Sequence, residues 1–395
     1  MSDPWLAVIG LGEDGLAGLT DASRAALAAA EIVFGGPRHL ALAGAGVRGR
    51  DWPVPFSVEP VLALRGRKVA VLASGDPFWF GAGGSLAAVL DPAEWRAFPA
   101  PSAFSLAAAR LGWRIEEIAC LGLHAASFAR LLPHLGNGAR ALCLVRDGSA
   151  AGELADWLTA QGFGASDLWV MEALGGARER IRAVQAGAYD LEDVHAPVAV
   201  AIRAEGGRGL PRTPGLPDDA FAHDGQITKQ PVRALTLSAL APRPGERLWD
   251  IGAGSGSISA EWCLAAPGAT AHAIEARPSR AANIRANAET FGLTGRLTVI
   301  QGAAPAALDG LPPPDAVFIG GGADAVLLET LWPVLPHGGR LVVNAVTLET
   351  ESLLAEWSAR QGGTLLRLDI ATAAPLGRMR GWAPSRPVVQ WSVVK

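Results

Sequence analysis

The run Leu248–Trp262, LWDIGAGSGSISAEW, reads as a β-strand ending next to an acidic residue, a turn with Gly252, Gly254 and Gly256 at alternate positions, and then a helix. A tight strand-to-helix turn lets backbone approach a ligand only if no Cβ stands in the way, which is why glycine is needed there. Taken alone, the turn fits a structural tight turn or another nucleotide equally well. The next strand narrows the choice. In AHAIEARPSRAANIRANAE, Glu275 closes the second strand twenty-three residues after Gly252, near the roughly 20-residue offset at which an acidic side chain meets the hydroxyls of a ribose. At the third strand, VIQGAAPAAL places Gly302–Ala304 at the C-terminal edge of the sheet, and small residues there leave room for an adenine ring. The spacing G-x-G-x-x-G is missing, which disfavours a nicotinamide dinucleotide. S-adenosylmethionine, a sulfonium without a pyrophosphate, suits a turn that need not point a helix N-terminus at phosphate.

Working outward, short β-branched runs alternate with alanine-rich helical runs through both halves, the pattern of doubly wound α/β domains. Strands are predicted at Arg247–Ile251, Thr270–Ile274, Leu297–Ile300, Ala316–Ile319 and Arg340–Val343, with helices at Ser257–Leu264 and Ser279–Phe291. In the N-terminal half they are predicted at Trp5–Ile9, Lys68–Leu72, Ala141–Val145 and Pro197–Ile202, with helices at Thr20–Ala30 and Ser105–Leu111. Between Ala204 and Gly225, eight of twenty-two residues are Gly or Pro, too many for a helix or a central strand. The expected division is therefore a first domain over 1–203, a linker over 204–225 and a second domain over 226–395.

Bulk composition excludes several classes. A chain of 395 residues with 50% hydrophobic residues exceeds what one core usually supports. A net charge of −4 lacks the basic excess of a nucleic-acid binder. Lys68, Lys229 and Lys395 are the only lysines among 34 basic side chains, so an anionic substrate would be held by guanidinium groups; a GC-rich genome explains the same bias. Cys120, Cys143 and Cys263 have no metal-ligand spacing, which predicts neither disulfides nor a metal site and fits a reducing cytoplasm. The N-terminus lacks a signal-peptide pattern, and no apolar run approaches a membrane span.

The motifs then carry a resemblance. DGQITKQPVRALTLSAL, DIGAGSGSISAEW, FIGGGAD and LVVNAVTLET together resemble the decarboxylating precorrin methyltransferases of cobalamin biosynthesis across roughly residues 224–394. This implies a Rossmann-like class I methyltransferase sheet in which Thr228, Gly252, Ala253, Gly254, Ser255, Gly256, Glu275 and Ala304 contact S-adenosylmethionine. Gly320, Gly321, Gly322 and Asn344 would face the acceptor. Ala303 departs from the family pattern, since many relatives have an acidic residue there.

VIGLGEDG at residues 8–15 follows a strand like a nucleotide turn, yet no acidic residue closes the second strand. With SGDPFWFG, APSAFSLAAARLGW and MEALGGARERI further on, the region 5–203 resembles the tetrapyrrole (class III) methylases, a two-subdomain fold that holds a folded cofactor in a cleft. The resemblance implies cofactor contacts at Gly75, Asp76, Ser102, Ala103 and Leu174. Glu13 stands where many relatives have proline. Asp76 also reads as a turn former, and His124 as a structural histidine.

Methyl transfer from a sulfonium is an in-line displacement with an activated donor, so the protein has to orient the acceptor and exclude water. No nucleophile is required; Asn344 and His124 are the candidates for assistance. FIGGG replaces the N/D-P-P-Y/F motif expected for exocyclic amines of bases. The resemblance implies methylation of a reduced tetrapyrrole at C-5 by the first domain and at C-15 by the second, with loss of the ring C acetate carboxyl as carbon dioxide. Arg378 and Arg380 are candidates for the substrate carboxylates. The expected cofactor is S-adenosyl-L-methionine, the partner a small tetrapyrrole, the assembly a homo-oligomer, with no nucleic acid, membrane or metal. Three alternatives stand beside this reading: the cobalt-bound macrocycle, a protein or RNA acceptor, and a non-catalytic tetrapyrrole carrier.

Overall fold

Buried apolar strands form the centre of each half and helices cover them, with Thr20, Ser102, Asp324 and Thr347 capping four of those helices. The computed structural model describes residues 4–211 and 213–395; Met1–Asp3 of the expected first domain and Arg212 of the expected linker lie outside the described residues. Two compact units result, one from 1–128 with 134–209 and one from 129–133 with 210–395.

The first unit contains two five-stranded sheets. One is wholly parallel, in the spatial order Gly49–Asp51, Ile32–Gly35, Val69–Ser74, Leu6–Leu11, Trp95–Phe98. Its central strands, LAVIGL and VAVLAS, are buried along nearly their whole length, the signature of a parallel sheet covered on both faces. The second sheet runs Ala119–Gly122, Arg140–Val145, Val198–Arg203, Asp167–Glu172, Arg180–Gln185, and only its first pair is parallel. The uniform doubly wound reading of this half therefore holds for the first sheet alone. Strand Arg180–Gln185, RIRAVQ, alternates exposed and half-buried residues, an edge pattern that antiparallel pairing tolerates and a buried parallel sheet does not. The expected Thr20–Ala30 helix forms as Asp21–Ala29, with the Thr20 hydroxyl accepting the Ser23 N–H at 3.2 Å, a capping contact that fixes where the helix starts.

The second unit is built on one seven-stranded sheet: Leu297–Gln301, Thr270–Glu275, Arg247–Ile251, Ala316–Ile319, Arg340–Ala345, Val388–Val394, Thr364–Leu368. Its first five strands are parallel, and the last two pair antiparallel. All five predicted strands are present, each within a residue or two of its expected bounds. The strand order reverses after Arg247–Ile251, and that switch point opens a crevice at the carboxyl ends of the strands. Helix Ser257–Ala265 is buried almost throughout. A separate two-stranded hairpin, Ala371–Leu376 with Met379–Pro384, carries exposed Leu376, Met379 and Trp382.

Residues expected to be linker contribute to the second unit's core, where Leu216 and Phe221 are buried. A fully buried Arg233 organises them. Its Nε meets Glu261 Oε1 at 2.6 Å and its Nη1 meets Asp218 Oδ1 at 3.1 Å, while its guanidinium lies over the Phe221 ring. Glu261 in turn accepts the Gly215 and Leu216 backbone N–H groups. A buried charge is tolerated only when paired and hydrogen-bonded in this way, and the Gly/Pro-rich stretch is held with no regular structure beyond the single 3-10 turn Asp218–Ala220. Among the described residues no helix is long and apolar enough to cross a membrane.

Candidate functional site

In the second unit, Gly252, Gly254 and Gly256 all adopt left-handed backbone, with φ of +69°, +60° and +71°. The requirement is sharpest at Gly256, where an added Cβ would come within 2.7 Å of Ile284 Cγ2. The Gly252 and Ala253 N–H groups both donate to the Ile274 carbonyl at 3.0 Å, which ties the turn to the second strand. At the end of that strand the Glu275 carboxylate is 6% exposed. Its Oε2 accepts the Gly254 N–H at 2.9 Å and its Oε1 the Arg277 N–H at 2.8 Å. One acidic side chain thus shapes the glycine turn and retains lone pairs for further donors.

Two polar atoms here are buried without a protein partner, Ser255 Oγ in the turn and Asp250 Oδ1 in the strand before it. The other oxygen of Asp250 accepts from Ser259 N and Ser259 Oγ, at 3.2 and 2.6 Å. Burial, together with the nearby Glu275 charge, pushes the Asp250 carboxyl up to about 6. Asp250 had not been assigned a role from sequence, although it is the acidic residue within the strand that opens this domain's first motif. Ala304 is half-buried on the loop after the third strand, and Gly302 N donates to the Glu275 carbonyl at 3.1 Å.

Gly320, Gly321 and Gly322 are exposed at the end of the fourth strand. A Cβ on Gly320 would lie 3.3 Å from the Gly252 carbonyl oxygen, so the two turns meet backbone to backbone at the switch point. Thr228 is half-buried, with its carbonyl bonded by Arg233. Asn344 is buried: its Nδ2 donates to Thr236 Oγ1 at 3.0 Å and its Oδ1 accepts from Gln390 at 2.9 Å. Gln390 also donates to Thr236 Oγ1 at 3.0 Å. Both ends of the Asn344 amide are thereby engaged within the protein. Arg378 and Arg380 stand exposed on the two-stranded hairpin.

The first unit holds a cleft of about 700 Å³ between its two sheets. Gly75, Ser102, Ala103, Leu174 and His124 all line it. Gly75 has φ +56°, and a Cβ there would stand 2.6 Å from Ser102 Cα and 2.8 Å from the Pro101 carbonyl oxygen. The two loops therefore touch through backbone alone. Ser102 caps helix Ala103–Leu111, its Oγ accepting the Ser105 N–H at 3.1 Å. Asp76 is half-buried beside the cleft, and its Oδ1 accepts the Phe78 N–H at 2.9 Å, the turn-forming contact foreseen for it. His124 Nδ1 donates to the Val145 carbonyl at 3.2 Å, since a carbonyl only accepts.

The same cleft holds a cluster not anticipated from sequence. Arg38 and His39 follow the strand Ile32–Gly35, where an acidic residue is missing, and both reach Ser74 Oγ at 2.8 Å. Glu13 pairs with Arg38 and lies 3.9 Å from Arg178. Burial, helped by the Arg38 charge, lowers His39 to about 4. The only advance signal was position, since side chains at the carboxyl end of a parallel strand face the ligand crevice.

A tetrapyrrole (corrin/porphyrin) methylase family model matches residues 6–189, and a precorrin methyltransferase domain model matches residues 219–395. A Sinorhizobium protein described as precorrin-6Y C(5,15)-methyltransferase [decarboxylating] is 52% identical over 400 residues, covering 99% of this chain and 97% of its own. A Mycobacterium tuberculosis protein of the same description is 42% identical over 401 residues, covering 99% of this chain and 100% of its own. The solved C-terminal domain of precorrin-6Y C5,15-methyltransferase from Rhodobacter capsulatus is 60% identical and covers 47% of this chain and 100% of its own, with a TM-score of 0.46.

Proposed function

This chain belongs to the family of precorrin-6Y C(5,15)-methyltransferases (decarboxylating), and from that premise we infer how its two units share the work. The chain is a methyltransferase of cobalamin biosynthesis that methylates its precorrin with decarboxylation. We assign C-5 methylation to the first unit, and C-15 methylation with loss of the ring C acetate carboxyl to the second. The reading rests on one observation: each unit has a glycine-mediated approach of bare backbone to a crevice, at Gly75 in one and at Gly252 and Gly320 in the other.

The donor chemistry fits S-adenosyl-L-methionine at both. In the second unit, Glu275, the turn Gly252–Gly256 and the unpartnered Ser255 hydroxyl suit a polar nucleoside, with Thr228 and Ala304 at its margins. In the first, backbone at Gly75, Ser102, Ala103 and Leu174 would hold it, with Asp76 shaping the turn. When bound, the cofactor supplies a methyl group already activated as a sulfonium. What remains for the protein is orientation of the macrocycle and exclusion of water. We place the acceptor of the second unit against Gly320–Gly322, with Asn344 fixing that region through Thr236 and Gln390. His124 faces the acceptor of the first.

Arg378 and Arg380 are proposed for substrate carboxylates, on a hairpin whose exposed Leu376, Met379 and Trp382 support self-association as a homo-oligomer. Three free cysteines support a cytoplasmic setting. Incubating the full chain with precorrin-6B and S-adenosylmethionine and following mass tests the whole assignment. The expected change is a gain of two methyl groups and the loss of one carbon dioxide, and a single methyl gain would contradict it.

A further inference from the structure

Replacing hydrogen by methyl on a bridging carbon releases a proton, and the donor provides nothing to accept it. The first-unit cleft contains one arrangement that does. We propose that Ser74 and His39 form the pair that takes the proton leaving C-5. This rests on the assignment of C-5 methylation to the first unit.

The geometry fixes the protonation state. Arg38 Nη2 lies 3.0 Å from His39 Nε2 and 2.8 Å from Ser74 Oγ. A guanidinium only donates, so Nε2 carries its one lone pair, the imidazole is neutral, and that lone pair faces both the Arg38 N–H and the Ser74 hydroxyl. Ser74 Oγ, 2.8 Å from the same Nε2, accepts from Arg38 and has its own proton to give. Ser74 is exposed at the end of its strand, and both residues line the cleft. Burial and the Arg38 charge keep His39 neutral down to about pH 4, which preserves its acceptor lone pair under physiological conditions.

The step balances without any further reactant. At C-5 the macrocycle's π electrons form the new carbon–carbon bond as the carbon–sulfur bond breaks, and the sulfonium departs as a neutral thioether. C-5 then bears both methyl and hydrogen, with positive charge spread over the ring. The C–H bond breaks and its electron pair restores the double bond. The proton passes to Ser74 Oγ as the Ser74 hydroxyl proton passes to the single lone pair of His39 Nε2, which gives up its contact with Arg38 while Arg38 keeps its bond to Ser74 Oγ. The acid being deprotonated is a cationic carbon acid, so a weak base suffices. Glu13 pairs with Arg38, so the imidazolium forms beside a neutralised guanidinium rather than an isolated cation.

The test uses the full chain with precorrin-6B carrying hydrogen or deuterium at C-5, in single turnover with S-adenosylmethionine, scored by mass. His39→Gln should lower the C-5 methylation rate by about a hundredfold, the usual weight of a positioned base. A primary deuterium effect, absent in the unaltered chain, should appear because deprotonation becomes slow. His39→Ala should behave alike and recover with added imidazole, a rescue that a merely structural role would not give. A normal rate in His39→Gln overturns the proposal, as does a slow rate with neither isotope effect nor imidazole rescue. The same signatures in His124→Gln with His39→Gln unimpaired would transfer the role across the cleft and overturn it too. Should the unaltered chain add no methyl at C-5, the assignment beneath the proposal fails first and visibly.

Discussion

The two units approach what we take to be one cofactor by opposite routes. In the second, the site we propose is a single turn of five residues and one carboxylate at the end of the adjacent strand: Glu275 alone holds the backbone at Gly254 and at Arg277. In the first, the contacts we propose come from three separated segments around a cleft, and Gly75 meets Pro101 and Ser102 through backbone alone. A site concentrated on one side chain is vulnerable to one substitution, whereas a site dispersed over backbone is vulnerable mainly to backbone displacement.

The largest expected effect follows directly. Glu275→Ala removes a charged acceptor of two backbone donors together with its remaining lone pairs. Hydrogen bonds to charged groups contribute roughly 1.5–3 kcal/mol each, so a loss of about 3 kcal/mol, roughly a hundredfold in affinity, is expected for S-adenosylmethionine at the second unit. Calorimetry on the full chain should then show one binding event lost and one kept. Equal weakening of both events would erase the contrast.

The dispersed site should fail differently. Gly75→Ala forces a left-handed backbone position on a residue with Cβ and drives that atom toward Ser102 Cα and the Pro101 carbonyl. Positions of this kind cost about 1–3 kcal/mol. First-unit stability should fall by about 2 kcal/mol, read by hydrogen exchange in peptides from 69–111. An unchanged exchange pattern would mean that this backbone contact does not define the cleft.

That contrast also explains what was legible in advance. Gly252, Gly254, Gly256 and Glu275 announced themselves because a local turn and a strand end are separated by a fixed number of residues. Five strands of the second unit were placed nearly to the residue because each is a short run rich in β-branched or apolar residues, buried in all but the edge strand Leu297–Gln301. In the first unit the same signal placed two strands of each sheet, Leu6–Leu11 and Val69–Ser74 in one and Arg140–Val145 and Val198–Arg203 in the other. Short or solvent-facing edge strands such as Arg180–Gln185, RIRAVQ, carried no such signal. The Ser74–His39–Arg38–Glu13 cluster was illegible because its members come from three segments joined only by folding. Asn344 was picked out by motif, yet its contacts to Thr236 and Gln390 span 108 and 46 residues, separations no pattern of periodicity encodes. Buried Arg233 shows the same limit: composition marked residues 204–225 as a linker, and long-range pairing with Glu261 drew part of that stretch into a core.

Acidity should separate the units by sign. Asp250 in the folded second unit holds its proton to about pH 6, against 3.8 for the ordinary carboxyl. Between those values the unfolded chain has fewer protons bound, so second-unit stability falls as pH rises from about 4 to 6. His39 runs the other way. Its folded value of about 4 lies below the ordinary 6.5, so the unfolded chain binds more protons in that interval and first-unit stability rises with pH. Each slope is at most about 1.4 kcal/mol per pH unit for one proton. Hydrogen exchange resolved by unit should show the opposed trends, with Asp250→Asn flattening one and His39→Gln the other. Slopes of the same sign would overturn the account of burial at one of these two groups.

The smallest effect is the most discriminating about dispersal. Ser102 lies in the cleft and is 6% exposed, so it invites a reading as a side-chain ligand. Its Oγ, however, is already engaged with the Ser105 N–H and Ser105 Oγ, at 3.1 and 3.0 Å, and works as the cap of helix Ala103–Leu111. Ser102→Ala should therefore cost about 1 kcal/mol of first-unit stability, the usual weight of a lost cap. If backbone carries the cofactor there, affinity should follow only as far as the helix end frays, a change of a few-fold at most beside the hundredfold expected for Glu275→Ala. A hundredfold loss in Ser102→Ala would instead make its hydroxyl a direct ligand, and the first unit would then depend on one side chain just as the second does.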